Sequence, residues 1–157
     1  MEKAIFFSGY GTSYVYSNND NKANVKKSME IFPETISALC FLEKRGYLLV
    51  LVTPDFMEYE LIKNKLKDKI IKLEYWNTKE DELDKLLKKR YINMQESFYL
   101  TDGYLFQDVL HFGWKTILVL TGKGVDVLNS LEPYQLNSIC DICKDIYAAA
   151  ISVVVNK

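Results

Sequence analysis

The feature that most constrains this chain is an alternation: short, almost continuously apolar runs are separated by longer segments whose apolar residues recur at helical spacing. The runs at residues 3–7, 47–52, 70–75, 97–100 and 116–120 read as strands. A strand that is apolar at nearly every position, rather than at every second one, has both faces covered, and helices supply that cover around a parallel sheet. Helices are expected at 33–45, 56–67, 79–91 and 105–112, with a closing helix over 140–155. The first starts on Pro33, which loses nothing by lacking an N–H in a first turn, and stops before Gly46, a residue suited to a left-handed cap. The Ser-, Asn- and Lys-rich segment 14–29 reads as an excursion over the surface. One α/β domain spanning residues 1–157 is expected.

In an open parallel sheet, ligands bind beyond the carboxyl ends of the strands. Attention therefore falls on the loops 8–12, 53–56, 76–79 and 101–108. Gly9 and Gly11 allow backbone N–H groups to approach an anion, or simply turn the chain. Thr53 offers a hydroxyl to a ligand or a cap to the next helix. Lys79 serves equally as a ligand contact or a solvated first-turn residue, and Asp102 stands at the expected edge or begins a turn.

Three stretches then resemble one family. KAIFFSGYGT is similar to the first motif of the haloacid dehalogenase (HAD) phosphatases, hydrophobic residues followed by DxDGT; FPETISALCFLEKRGYLLVLVT resembles the second; SFYLTD resembles the fourth. The segment WKTILVLTGKG resembles the closing strand of the histidinol-phosphate and heptose-bisphosphate phosphatase branch. The resemblance implies a three-layer, Rossmann-like fold with a central, mainly parallel sheet and no large cap. It also implies phosphoryl transfer to an aspartate, with a second aspartate as acid and base and Mg²⁺ neutralising charge.

Carried onto this chain, the nucleophile position is Ser8 and the acid/base position is Tyr10. Both carboxylates are absent. GYGT also resembles the DxYGT loop of the dehalogenases themselves, but that loop too requires the aspartate that Ser8 replaces. Gly9, Gly11, Thr12, Thr53 and Lys79 remain as phosphate-binding positions. Asp102 matches the fourth-motif metal aspartate, with Asp108 as a displaced companion. A serine needs an adjacent base to become a nucleophile, and a hydroxyl is a poor substitute for a carboxylate on a hard cation. The expectation is a pseudophosphatase with weak Mg²⁺ binding; the alternative is an active phosphohydrolase on a small sugar or amino-alcohol phosphate. A third reading, a purely structural or assembly role, stands beside them.

Composition narrows the partners. A formal charge of -1 and a pI near 5.9 give no reason to expect nucleic acid. No apolar run approaches the roughly 20 residues of a membrane span, and the start lacks the pattern of a signal peptide. Cys40, Cys140 and Cys143 are an odd number and too few for a disulfide framework, which fits the cytoplasm. Cys140 and Cys143 form a lone CxxC, read as packed thiols rather than a zinc site, and His111 is read as structural. The expected partner is a small phosphorylated ligand or a protein, with oligomerisation allowed and a pocket shaped by residues 14–31.

Overall fold

A computed structural model describes residues 1–18, 27–106 and 112–156. Eight strands are described: β1 (Ala4–Ser8), β2 (Tyr14–Asn18), β3 (Lys27–Ile31), β4 (Leu48–Val52), β5 (Glu74–Trp76), β6 (Phe98–Thr101), β7 (Lys115–Val119) and β8 (Ile139–Cys143). Among them run helices α1 (Pro33–Lys44), α2 (Phe56–Leu66), α3 (Glu80–Arg90), α4 (Gly124–Ser130), α5 (Pro133–Asn137) and α6 (Ile146–Val155). Six strands form one sheet in the order β5-β4-β1-β6-β7-β8, every pairing parallel. β1 thus lies between β4 and β6, where the sequence pattern puts it.

The two-residue period of a strand explains the apolar runs. Ile5 and Phe7 point into one cluster with residues of α1, α2 and α6, while Ala4 and Phe6 point into the other with Leu83 of α3 and Trp114. All five residues of β1 and of β4 are buried. Fully burying a Phe or Leu side chain contributes about 1.5–3 kcal/mol, so both faces of the central strands hold the sheet.

Four expectations change. Residues 14–29 are not a bare surface excursion: β2 and β3 form an antiparallel hairpin, with Tyr14 fully buried against the core. Alternating Ser, Asn and Tyr hid the hairpin, since a two-stranded ribbon buries only part of one face. The closing helix does not begin at residue 140. Ile139–Cys143 is a sixth sheet strand on β7, and the helix starts after Asp145, whose carboxylate accepts from the Ala148 N–H at 2.8 Å. Ile142 and Ile146 fit a helical period by coincidence across that boundary. The strand expected at 70–75 is confined to Glu74–Trp76; Ile70 and Leu73 are buried, but as loop side chains. Helices α4 and α5, unmarked by a strong apolar period, follow β7. The expectations for Asp108, His111 and most of the helix at 105–112 lie outside the described residues. No helix among the described residues is long and apolar enough to cross a membrane.

Candidate functional site

At the carboxyl edge of the sheet, four loops enclose a cavity of about 550 Å³. Its wall is made by Gly9 and Tyr10 after β1, Thr53 to Asp55 and Glu58 after β4, Asp102 to Leu105 after β6, and Lys123 with Val127 after β7. Strand order produces this convergence: β4, β1, β6 and β7 are neighbours, so their following loops share one rim.

Ser8 is 1% exposed and sits behind that wall. Its hydroxyl lies 2.6 Å from that of Thr12 and 3.0 Å from that of Thr101. The Thr12 hydroxyl reaches Asp102 Oδ1 at 3.3 Å and accepts from the Asp102 backbone N–H at 2.8 Å. Two protons serve three contacts, so the short bond runs one of two ways. Either Ser8 donates to Thr12 and Thr12 to Asp102, or Thr12 donates to Ser8 and Ser8 to Thr101. An ionised Asp102 favours the first, because a charged acceptor strengthens the bond.

The second oxygen of Asp102 accepts from the Lys123 N–H at 3.1 Å. Gly11 (φ 86°) and Gly122 (φ 54°) bracket this carboxylate, and a Cβ on either would strike it. Glycine is required at both positions for conformation and for space. Thr121 completes the clasp by donating to the Gly11 carbonyl at 2.6 Å. Asp102 therefore ties together the loops after β1, β6 and β7. Burial pushes its carboxyl above the usual range, opposed by the bonds from Lys123 and Thr12.

The opposite wall carries Glu58, one turn into α2. The helix starts at Asp55, whose side chain accepts from the Met57 N–H at 2.9 Å, while Thr53 accepts from the Asp55 N–H at 3.1 Å. Thr53 thus shapes the turn that Asp55 caps. Glu58 then projects over Gly9, where any Cβ would strike its carboxylate. Burial raises the Glu58 carboxyl, the adjacent Asp55 charge raises it further, and the neighbouring Tyr14 and Thr53 hydroxyls partly oppose this. The Tyr14 hydroxyl is buried facing Glu58 and Tyr16, without a well-formed hydrogen bond to either. Burial of that hydroxyl pushes its titration upward.

Of the expected positions, Gly9, Tyr10, Thr53 and Asp102 lie on the cavity wall. Ser8, Gly11 and Thr12 stand behind it. Lys79 is elsewhere: it precedes α3, and its carbonyl accepts from the Trp76 indole at 2.7 Å. The lysine that the cavity does hold is Lys123. Glu58 and Lys123 were not among the expected site positions. The loop after the 116–120 run lies on the same carboxyl edge as the others, which was the available signal for Lys123; the D-x-x-E pattern at Asp55 and Glu58 marked a helix start but not its direction.

Among described residues, no group of three His, Cys, Asp or Glu side chains is placed to hold a metal ion. All three cysteines are free, and burial pushes the Cys143 thiol up to about 12.

Solved structures that overlay on this chain include three phosphatases. The D,D-heptose 1,7-bisphosphate phosphatase from B. bronchiseptica, complexed with magnesium and phosphate, superposes with a TM-score of 0.69 at 18% identity, covering 99% of both chains. The fold is that of the HAD phosphatases. The 3-deoxy-D-manno-octulosonate 8-phosphate phosphatase from Moraxella catarrhalis, with magnesium, phosphate and KDO, gives 0.69 at 14% identity over 99% of this chain and 87% of that one. The D,D-heptose 1,7-bisphosphate phosphatase from Burkholderia thailandensis gives 0.66 at 16%, covering 98% of this chain and 99% of that one. No protein-family model matches the sequence, and no curated protein matches it. The HAD-like fold thus persists here under a sequence that shares fewer than one residue in five with these overlays.

Proposed function

We propose that this protein is a pseudophosphatase: a HAD-fold binding protein whose cavity takes a small ligand without hydrolysing phosphate esters. The observation that carries the reading is the state of the two groups nearest the family's chemistry. Ser8 is buried with its hydroxyl held by Thr12 and Thr101, and no base adjoins it. Asp102 has one oxygen on Thr12 and the other on the Lys123 N–H. Both serve the clasp between loops.

The residues present do not fit a resident Mg²⁺ ion. A hard cation asks for several oxygen ligands with at least one or two carboxylates free to turn toward it. Here Ser8 brings no charge and Asp102 is engaged, so Mg²⁺ affinity is expected to be weak. No catalytic step is derived through a metal. The cavity, about 550 Å³, falls within the roughly 300–1,000 Å³ of small-molecule sites, which favours a small occupant over a protein. The free cysteines fit a reducing, cytoplasmic setting.

The test is phosphate release from p-nitrophenyl phosphate and a panel of sugar and amino-alcohol phosphates, with and without Mg²⁺. Release at the blank rate is expected. Turnover at about 1 to 10³ s⁻¹ on any of them would overturn the reading in favour of an active phosphohydrolase.

A further inference from the structure

From the charge and the aromatic lining of the cavity we infer that its ligand is an organic cation: an alkyl or quaternary ammonium group seated against Glu58 and Asp55, with the rings of Tyr10 and Tyr104 beside it. The inference rests on the reading of the cavity as a binding site without phosphoryl transfer, and it names the chemistry of the occupant.

Charge is the first argument. Asp55, Glu58 and Asp102 face the cavity against the single ammonium of Lys123 among the described residues. Asp102 is satisfied by its own hydrogen bonds and Asp55 accepts from the Met57 N–H, but neither Asp55 nor Glu58 forms an ion pair with a described residue. Glu58, projecting over Gly9 and partly out of water, carries a charge that burial and the adjacent Asp55 both disfavour, a standing cost. A cation between them removes it. A phosphate would add to it, so the electrostatics select against the anion that the HAD phosphatases shown above carry in their crystals.

A second observation concerns the hydroxyl that Glu58 faces. Tyr14 is fully buried, and its hydroxyl faces Tyr16 and the cavity-lining Glu58 without a well-formed hydrogen bond to either. Buried hydroxyls are nearly always paired, and an unpaired one calls for an explanation. With a cation in place Glu58 is ionised, and the Tyr14 hydroxyl has a charged acceptor to turn to.

The aromatic lining decides between an organic cation and a metal. Tyr10 is 54% exposed and Tyr104 38% exposed, both on the cavity wall. Ring faces attract ammonium groups, by about 0.5–1 kcal/mol when exposed and about 2 when desolvated, and they offer no ligand to a hard metal. No three-ligand metal group is present among the described residues.

Calorimetric or NMR titration of the intact protein tests the inference with four probes: n-butylamine, tetramethylammonium, n-butanol as the neutral control, and inorganic phosphate, with Mg²⁺ alone as a fifth arm. Both ammonium probes are expected to saturate one site, with n-butylamine at least tenfold tighter than n-butanol. Glu58→Gln should weaken both cations at least tenfold while leaving n-butanol unchanged. Tyr10→Leu alters a side chain already half in water, so it keeps the fold available if Glu58→Gln does not, and it should weaken tetramethylammonium. Equal binding of n-butanol, no saturation by either cation, tighter binding of phosphate, Mg²⁺ displacing the amines, or cation affinity untouched by both variants would each overturn the inference. Phosphate-ester turnover with intact amine binding would instead overturn the pseudophosphatase reading alone.

Discussion

Replacing Asp102 separates a structural clasp from a catalytic remnant. In Asp102→Ala the Lys123 N–H loses its charged acceptor, at a cost of about 1.5–3 kcal/mol. The Thr12 hydroxyl is not stranded, because it can swing its proton to Ser8, 2.6 Å away, while Ser8 donates to Thr101. Removing a carboxylate whose ionisation burial disfavours offsets part of the loss, so the net cost should lie near the lower end. For a chain of this length that corresponds to a fall in Tm of roughly 3–6 °C. Asp102→Asn is different: its amide oxygen still accepts from Lys123, and its N–H₂ donates to Thr12 once the Ser8–Thr12 bond reverses. It should cost less than about 1 kcal/mol. Adding Ser8→Ala removes the acceptor that permits this reversal, and the double-mutant cycle should then show a coupling of at least about 0.5 kcal/mol. Urea and thermal denaturation near pH 7.5 measure the parent, the three single variants and the Asp102→Asn/Ser8→Ala double mutant. Asp102→Ala as stable as the parent, Asn as costly as Ala, or strict additivity would refute the hydroxyl relay.

Restoring a carboxylate with Ser8→Asp places a second negative charge across Thr12 from Asp102, so the variant should be less stable than the parent in EDTA. Mg²⁺ should recover it: at a hundredfold excess over Kd the gain is about 2.7 kcal/mol, or roughly 5–11 °C in Tm. A Tm indifferent to Mg²⁺ would show that the two positions do not face one ion. Glu58 gives a pH signature with the opposite sign from an ordinary salt-bridged acid. Its carboxyl titrates higher folded than unfolded, so the folded state holds the extra proton and loses stability as pH rises through that window. Glu58→Gln should therefore raise Tm at neutral pH, with the difference shrinking below the unfolded carboxylate's range; a constant difference across pH would exclude Glu58 as its source. These join the phosphate-release and ammonium titrations already set out.

How much of this was legible in advance can be seen residue by residue. The continuous apolar runs around Phe6 and Val50 announced strands covered on both faces, and chain order then placed Ser8, Thr53 and Asp102 on one edge; both follow from burial, which each segment encodes within itself. The similarity of SFYLTD and KAIFFSGYGT to HAD motifs pointed to the right fold, and the comparisons bear that out. What the residues do there was not legible. Asp102 was expected as a metal ligand; what the sequence did not show is that its oxygens accept from Thr12, 90 positions away, and from the Lys123 N–H, 21 positions on. Lys79 looked like the phosphate lysine, yet Lys123 reaches the cavity because β7 lies beside β6, and Lys79 stays with the edge strand β5. Glu58 drew no expectation from the sequence, and only the absence of a side chain at Gly9 lets it lie over the loop. Periodicity reports whether a segment is buried; which oxygen meets which proton depends on pairs distant in sequence, and those are decided when the loops are brought to a common edge.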